Sequence, residues 1–170
     1  MPRTAATPVA ETVDAARLGT ANAAKAMTFG PLRRTLPSDA LLNGQSQWIT
    51  SPPAREDGHA WRARACAVLT GIGTVLEDDP TLDVRLVDTL RQPTLVVVDS
   101  RLETPPQAAL FQPERPVWIY HAAGTEPAAQ ALANAGAQLS VHPDPQGKVY
   151  LQALMQDLGR RDINEVHVEA

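Results

Sequence analysis

At 170 residues the chain has the length of a single domain, long enough to bury roughly 70% of the surface that its unfolded form exposes. Hydrophobic residues at 44% and charged residues at 20% argue against a wholly disordered chain or a fibre, and a formal charge of -4 offers no attraction to nucleic acid or an anionic membrane. Cys66 is the only cysteine, which excludes an internal disulfide and a zinc site needing two thiolates.

Residues 1–42 are rich in alanine, threonine and proline without sustained periodicity, and read as a divergent, loosely held arm preceding a domain over 43–170. No basic start followed by an apolar core is seen, and no apolar run is long enough for a membrane span, so a cytoplasmic chain is expected. Thr50 and Ser51 precede Pro52 in the order of an N-cap followed by first-turn proline, which predicts a helix to about Arg64. Ala65 to Thr70 reads as a short buried strand with Cys66 as a small apolar residue in it. Gly71 and Gly73 then mark a strand-to-loop exit, where glycine permits a close ligand approach and where α/β proteins bind ligands.

Thr94 to Val98, with its run of valines, reads as a strand covered on both faces and ends at the polar pair Asp99 and Ser100. Val117 to Tyr120 is another strand, followed by Gly124 and Thr125, a helix through about Ala135, and Gly136 as its C-cap. Gln138 to Val141 is the next strand. Leu151, Leu154, Met155 and Leu158 share one helical face, and Gly159 is expected to end that helix. Glu165 to Glu169 alternates as a last strand. Strands alternating with helices predict an α/β fold with a mainly parallel sheet and helices on both faces.

Two phrases stand out chemically. Ser46 to Ser51 reads SQWITS, and Thr70 to Arg85 reads TGIGTVLEDDPTLDVR. Gly71-Ile72-Gly73 alone is weak evidence for a dinucleotide fingerprint, because Leu76 stands where a third glycine is needed. Asp78 and Asp79 alone read as a turn or cap, Trp48 as a core aromatic, and Arg62 and Arg85 as surface arginines. Arg62 and Arg85 nevertheless carry the planar, multi-donor group that suits a phosphate. His59, His121, His142 and His167 have no metal-ligand spacing and are explained by ordinary strand or surface positions; no metal is expected. The sequence also lacks the H-x-E and P-C-x-x-C signatures of a zinc deaminase.

Taken together, the phrases resemble the reductase domain of the bifunctional riboflavin-biosynthesis deaminase/reductase, over roughly Gly44 to Ala170. The resemblance implies a dihydrofolate-reductase-like fold and NADPH-dependent reduction of 5-amino-6-(5-phosphoribosylamino)uracil, with hydride converting its ribosyl unit to ribityl. It implies Trp48, Thr74, Asp78 and Ser100 as cofactor-binding residues, and Ser46, Arg62, Leu82, Arg85 and Glu169 as substrate-binding residues. No general acid is assigned. A homodimer is the assembly it implies, with no nucleic-acid or membrane partner.

Both ends depart from the family pattern. Where the family has a strand ending in S-L-D-G-R-T-A, this chain reads Ala26-Met27-Thr28-Phe29-Gly30-Pro31, without the aspartate. After Val166 to Ala170 the family continues into a glycine-rich loop, so the sheet is expected to be C-terminally incomplete. Two further readings follow: a noncatalytic remnant or nucleotide-binding fragment that needs a complementing chain, and a pterin or dihydrofolate-type reductase of the same fold.

Overall fold

The valine-rich run Thr94–Val98 forms a strand, β3, whose alternate residues enter two different cores: Leu95 and Val97 pack into one, and Val96 into the other. That is why no polar residue follows Thr94 in it, since both faces of the strand are covered. The computed structural model describes the backbone of residues 26–29 and the whole of residues 51–113 and 115–169. In chain order the elements are β1 (Ala26–Phe29), α1 (Pro52–Arg64), β2 (Ala67–Gly71), α2 (Ile72–Asp78), β3, β4 (Val117–His121), α3 (Glu126–Asn134), β5 (Ala137–Val141), α4 (Leu151–Arg160) and β6 (Glu165–Val168).

The strands form a six-stranded sheet in the order β1-β6-β2-β3-β4-β5, and each pairing is parallel. Parallel pairing brings the C-terminal ends of all strands to one edge, the edge at which open α/β sheets hold ligands. Register decides which ends are neighbours. Leu69 of β2 lies opposite Val168 of β6, and Gly71 lies opposite Val98 of β3. The exits of β2, β3 and β6 therefore stand side by side, although they are far apart in sequence.

Helices cover both faces. Val75 of α2 and Leu132 of α3 pack with Val68, Leu95, Val97, Val117 and Ile119 on one side. Leu154 and Leu158 of α4 pack with Ala67, Leu69, Val96, Tyr120 and Val166 on the other. α4 is also pinned by polar contacts: the buried Tyr120 hydroxyl donates to Asp157 Oδ2 at 2.8 Å, and Arg161 Nε donates to the same oxygen at 2.8 Å. Thr125 caps α3 by accepting from the Ala128 amide at 3.4 Å, and Gly136 just past its end takes φ +97°, a conformation that a side chain would strain.

Several local expectations are corrected. Ala26–Phe29, inside the segment that composition reads as an arm, form β1 and pair with β6. The glycine exit after β2 is not a loop: α2 begins at once, Gly71 is its N-cap with an ordinary extended φ of −96°, and Gly73 lies inside the helix. Neither glycine is demanded by crowding, because a Cβ would meet nothing within 4 Å at either. Ser51 does sit at the N-cap of α1, but its side chain makes no capping bond; the helix opens with the Arg55 amide on the Ser51 carbonyl at 3.1 Å. α4 runs through Gly159 to Arg160, since its apolar face at Leu154 and Leu158 is held by the sheet and outweighs the helix-weakening effect of one glycine. Cys66 is half-buried, at the margin of the core rather than inside it.

Truncating the fully buried Leu95 to alanine is expected to cost about 2–5 kcal/mol, because a rigid two-sided core cannot collapse onto the space left. Urea unfolding checks this: the midpoint should fall while the slope stays unchanged.

Candidate functional site

The exits of β2 and β6 gather a polar cluster. Glu169 follows β6 directly, and its amide donates to the Leu69 carbonyl of β2 at 2.9 Å, which holds the carboxylate at the sheet edge. Arg62, in the last turns of α1, meets that carboxylate in a two-pronged pair, Nε to Oε1 at 2.5 Å and Nη2 to Oε2 at 2.7 Å. Its remaining nitrogen, Nη1, donates to the Asp83 carbonyl at 3.0 Å. His167 Nε2 stands 3.3 Å from Glu169 Oε1. Burial works against the charged form of Glu169, but hydrogen bonds from Arg62 and His167, together with their charges, outweigh it and hold its pKa down to about 2.

The segment after α2 closes over this pair. Asp79 ends the helix in a left-handed conformation (φ 40°) and accepts the Ala109 amide at 2.8 Å, so the turn-and-cap role holds for it. Thr81 Oγ1 donates to Asp83 Oδ1 at 2.6 Å, and Arg85 Nη1 donates to both Thr81 Oγ1 (3.0 Å) and the Asp83 carboxylate. Arg115, almost fully buried, donates through Nη2 to the carbonyls of Thr81 and Leu110, both at 2.6 Å. His59 of α1 is buried and accepts the Arg85 amide on Nδ1 at 3.2 Å. The Arg85 side chain remains half exposed, and its Nε and Nη2 make no hydrogen bond among the described residues.

The β2 and β3 exits form the neighbouring half. Thr74 sits half-buried in α2 just past Gly71, and Asp78 is exposed at the end of the same helix with no bond among the described residues. Ser100 joins three segments: its carbonyl accepts the amides of Ala122 (3.1 Å) and Ala123 (2.9 Å), and its Oγ accepts the Val149 amide at 3.2 Å. That leaves the hydroxyl proton free to donate. Asp99 beside it is inward and structural, with Oδ2 taking the Thr104 amide and hydroxyl at 2.8 Å each. Thr70 Oγ1, next to the end of β2, is fully buried and has no partner among the described residues.

Of the residues expected from sequence, Arg62 and Glu169 are brought into direct contact, Arg85 lies on the loop beside them, and Thr74 and Ser100 share the adjoining edge. Leu82 departs from the expected substrate contact as far as its side chain goes. It is 5% exposed and packs in the core below, with a left-handed φ of 50°, so only its backbone faces the cluster. Ser46 and Trp48 lie outside the described residues. Sequence reading missed His59, Thr81, Asp83 and His167. Thr81 and Asp83 lie inside the distinctive phrase Thr70 to Arg85, and His167 stands two residues before Glu169 in the alternating last strand, so both had a usable signal; His59 had none, because only folding brings it to Arg85. Among the described residues no helix is long and apolar enough to cross a membrane.

Among the described residues nothing stands where a Cβ on Gly71 or Gly73 would reach, and Thr74 and Ser100 bring hydroxyls to one edge, a set compatible with a nucleotide. A family model described as the RibD C-terminal domain matches residues 40–170. The chain is 36% identical to the riboflavin biosynthesis protein RibD of Escherichia coli over 143 residues, covering 77% of this chain and 38% of that protein. It is 26% identical to the 5-amino-6-(5-phosphoribosylamino)uracil reductase of Buchnera aphidicola, over 76% of this chain and 67% of that protein. The solved structure of Acinetobacter baumannii RibD, form 1, superposes with a TM-score of 0.60 at 36% identity, covering 77% of this chain and 35% of that one. The chain thus spans about two fifths of the length of its RibD relative from Escherichia coli.

Replacing Glu169 with glutamine removes the charge that Arg62 and His167 surround, at an expected cost of about 1.5–3 kcal/mol near neutral pH. The sign follows from linkage: a carboxylate with a lowered folded pKa stabilises the fold above its unfolded value and loses that contribution as pH falls toward about 2. Urea midpoints measured from pH 6 down to pH 2.5 should therefore fall less steeply in Glu169→Gln than in the wild type.

Proposed function

Because the chain belongs to the RibD C-terminal domain family, we propose that it reduces 5-amino-6-(5-phosphoribosylamino)uracil to its ribitylamino product, using NADPH. The observation that carries this reading is the pairing of two unlike half-sites at one sheet edge: an ion-paired arginine cluster in which Arg85 stays half exposed, and the Thr74 and Ser100 hydroxyls at the β2 and β3 exits. A substrate with a phosphate at one end and a reducible sugar carbon next to a pyrimidine asks for such a division. The Buchnera aphidicola relative, similar over three quarters of this chain, bears the name of that reductase.

In this reading Arg85 holds the ribose phosphate. Its guanidinium is the half-exposed one whose Nε and Nη2 are unused among the described residues, whereas each nitrogen of Arg62 already has a protein partner. Arg62 and Glu169 then act as a fixed polar wall: Glu169 keeps Arg62 oriented, and its carboxylate oxygens accept hydrogen bonds from the sugar or pyrimidine. Leu82 contributes through its backbone. Ser46, from outside the described residues, completes the substrate side. Thr74, Asp78 and Ser100, together with Trp48, hold the nicotinamide nucleotide along the β2 and β3 exits. When bound, the nicotinamide supplies the hydride that the sugar carbon accepts. The chain's own contribution is orientation, which places that carbon against the donor. The same reading places the enzyme in the cytoplasm and assembles it as a homodimer.

The purified chain should oxidise NADPH, followed by loss of absorbance, when the phosphoribosylaminouracil is supplied and not otherwise. Absence of turnover at high enzyme concentration would sink the proposal. Arg85→Leu should raise the KM for this substrate on the order of 10–100-fold while kcat changes little, since a phosphate grip remote from the reacting carbon is made equally in ground and transition states. A matched loss in kcat would place Arg85 elsewhere in the reaction.

A further inference from the structure

The cation assigned to the phosphate sits on a loop, and nothing in that loop's own chain direction fixes it. Its guanidinium is tied at one nitrogen to Thr81 and Asp83, and these are neighbours on the same loop. Such bonds shape the loop internally without anchoring it to the fold. Several contacts do anchor it: Arg115 takes the Thr81 carbonyl from below, Arg62 takes the Asp83 carbonyl, Gln92 brackets the Val84 backbone, Leu82 packs in the core, and His59 of α1 takes the Arg85 amide. Of these, the His59 bond is made at the very residue whose side chain must be aimed.

His59 reaches this amide from a buried position on α1, separated from Arg85 by 26 residues in sequence. The bond requires a lone pair on Nδ1, so the imidazole must be neutral, with its proton on Nε2. The surroundings keep it so. Burial opposes the charged form, the guanidinium groups of Arg62 on α1 and Arg85 on the loop oppose it further, and Asp83 on the loop and Glu169 after β6 offset this only in part. Protonation would turn an acceptor into a donor pointed at another donor.

We propose that His59 is a positioning residue, whose neutral Nδ1 holds the Arg85 backbone so that the Arg85 guanidinium is presented to a phosphorylated sugar. This rests on the reading of Arg85 as the phosphate-holding group. His59 touches neither substrate nor cofactor; it acts through Arg85. Asparagine should replace it well, because its side-chain oxygen lies near the position of Nδ1, accepts the same bond and does not titrate. Leucine should not, because it fills the space and leaves the amide without an acceptor.

The test compares the full-length wild type with His59→Asn, His59→Leu, Arg85→Leu and the His59→Leu/Arg85→Leu double variant at pH 8, where both His59 and the phosphate have settled charge. His59→Leu should raise the KM for the phosphoribosylaminouracil about tenfold, the scale of one hydrogen bond, with kcat and the KM for NADPH within about twofold. His59→Asn should restore most of the loss, and the double variant should be no worse than Arg85→Leu alone. An equal rise in the KM for NADPH, no rescue by asparagine, or additive losses in the double variant would overturn the proposal.

A second readout does not depend on turnover. In the wild type, the Arg85 amide resonance should shift with the titration of His59, and its hydrogen exchange should speed about tenfold in His59→Leu but not in His59→Asn. If no variant and no wild type turns over, the reductase reading fails while this measurement still decides whether His59 holds Arg85. If His59→Leu does not fold, the wild-type titration and the asparagine variant carry the decision. An Arg85 amide indifferent to His59 protonation overturns the proposal in either case.

Discussion

Arg62 directs each nitrogen of its guanidinium at its own chain, and the site is organised around that commitment. Two nitrogens take the Glu169 carboxylate and the third takes the Asp83 carbonyl, so a single side chain joins α1, the loop after α2, and the end of β6. A charge in this half-buried place is tolerable only because it is paired and hydrogen-bonded; left without Glu169 it would carry a desolvation penalty with no return. The pair therefore sets the distance between helix and strand before any ligand arrives. It also explains why the phosphate is assigned to Arg85 rather than to Arg62.

The parallel sheet makes this geometry possible. Glu169 belongs to the site because β6 inserts between β1 and β2 and runs in the same direction, which puts its C-terminal end beside the exit of β2. The hydroxyl-bearing half depends on the next pairing, which sets Gly71 against Val98 and so brings Thr74 and Ser100 to a common edge. Both halves are held by helices and by a core that has little slack: Leu95, Val96 and Val97 are fully buried and locked from both faces. Rigid strands with functional groups on the connections just beyond them are the arrangement that gives precise placement with freedom to vary the chemistry.

Much of this was legible along the chain. The strands at Thr94–Val98 and Val117 onward, the helix from Pro52 to Arg64 and the capped helix after Thr125 stand where hydrophobic pattern and cap residues put them. The local errors share a cause. Gly71 and Gly73 read as a strand-to-loop exit because glycine permits one, yet α2 forms there because Val75 finds a place in the core. Gly159 read as a stop for the same reason, and α4 continues because the sheet holds Leu154 and Leu158. Propensity is a weak term, and burial of one apolar side chain exceeds it.

The sequence by itself determined the alternation of strands and helices, the family, and the residue types able to bind a phosphate and a nucleotide. These are properties of local pattern and of short phrases such as TGIGTVLEDDPTLDVR. Only the tertiary structure decided how those residues divide their work. That Arg62 is taken by Glu169 while Arg85 stays half exposed, that Leu82 turns its side chain into the core, and that His59 meets the Arg85 amide all depend on contacts between segments distant in sequence. Hydrogen bonds saturate, and which partner a donor finds is settled by strand register and helix packing rather than by the identity of the donor.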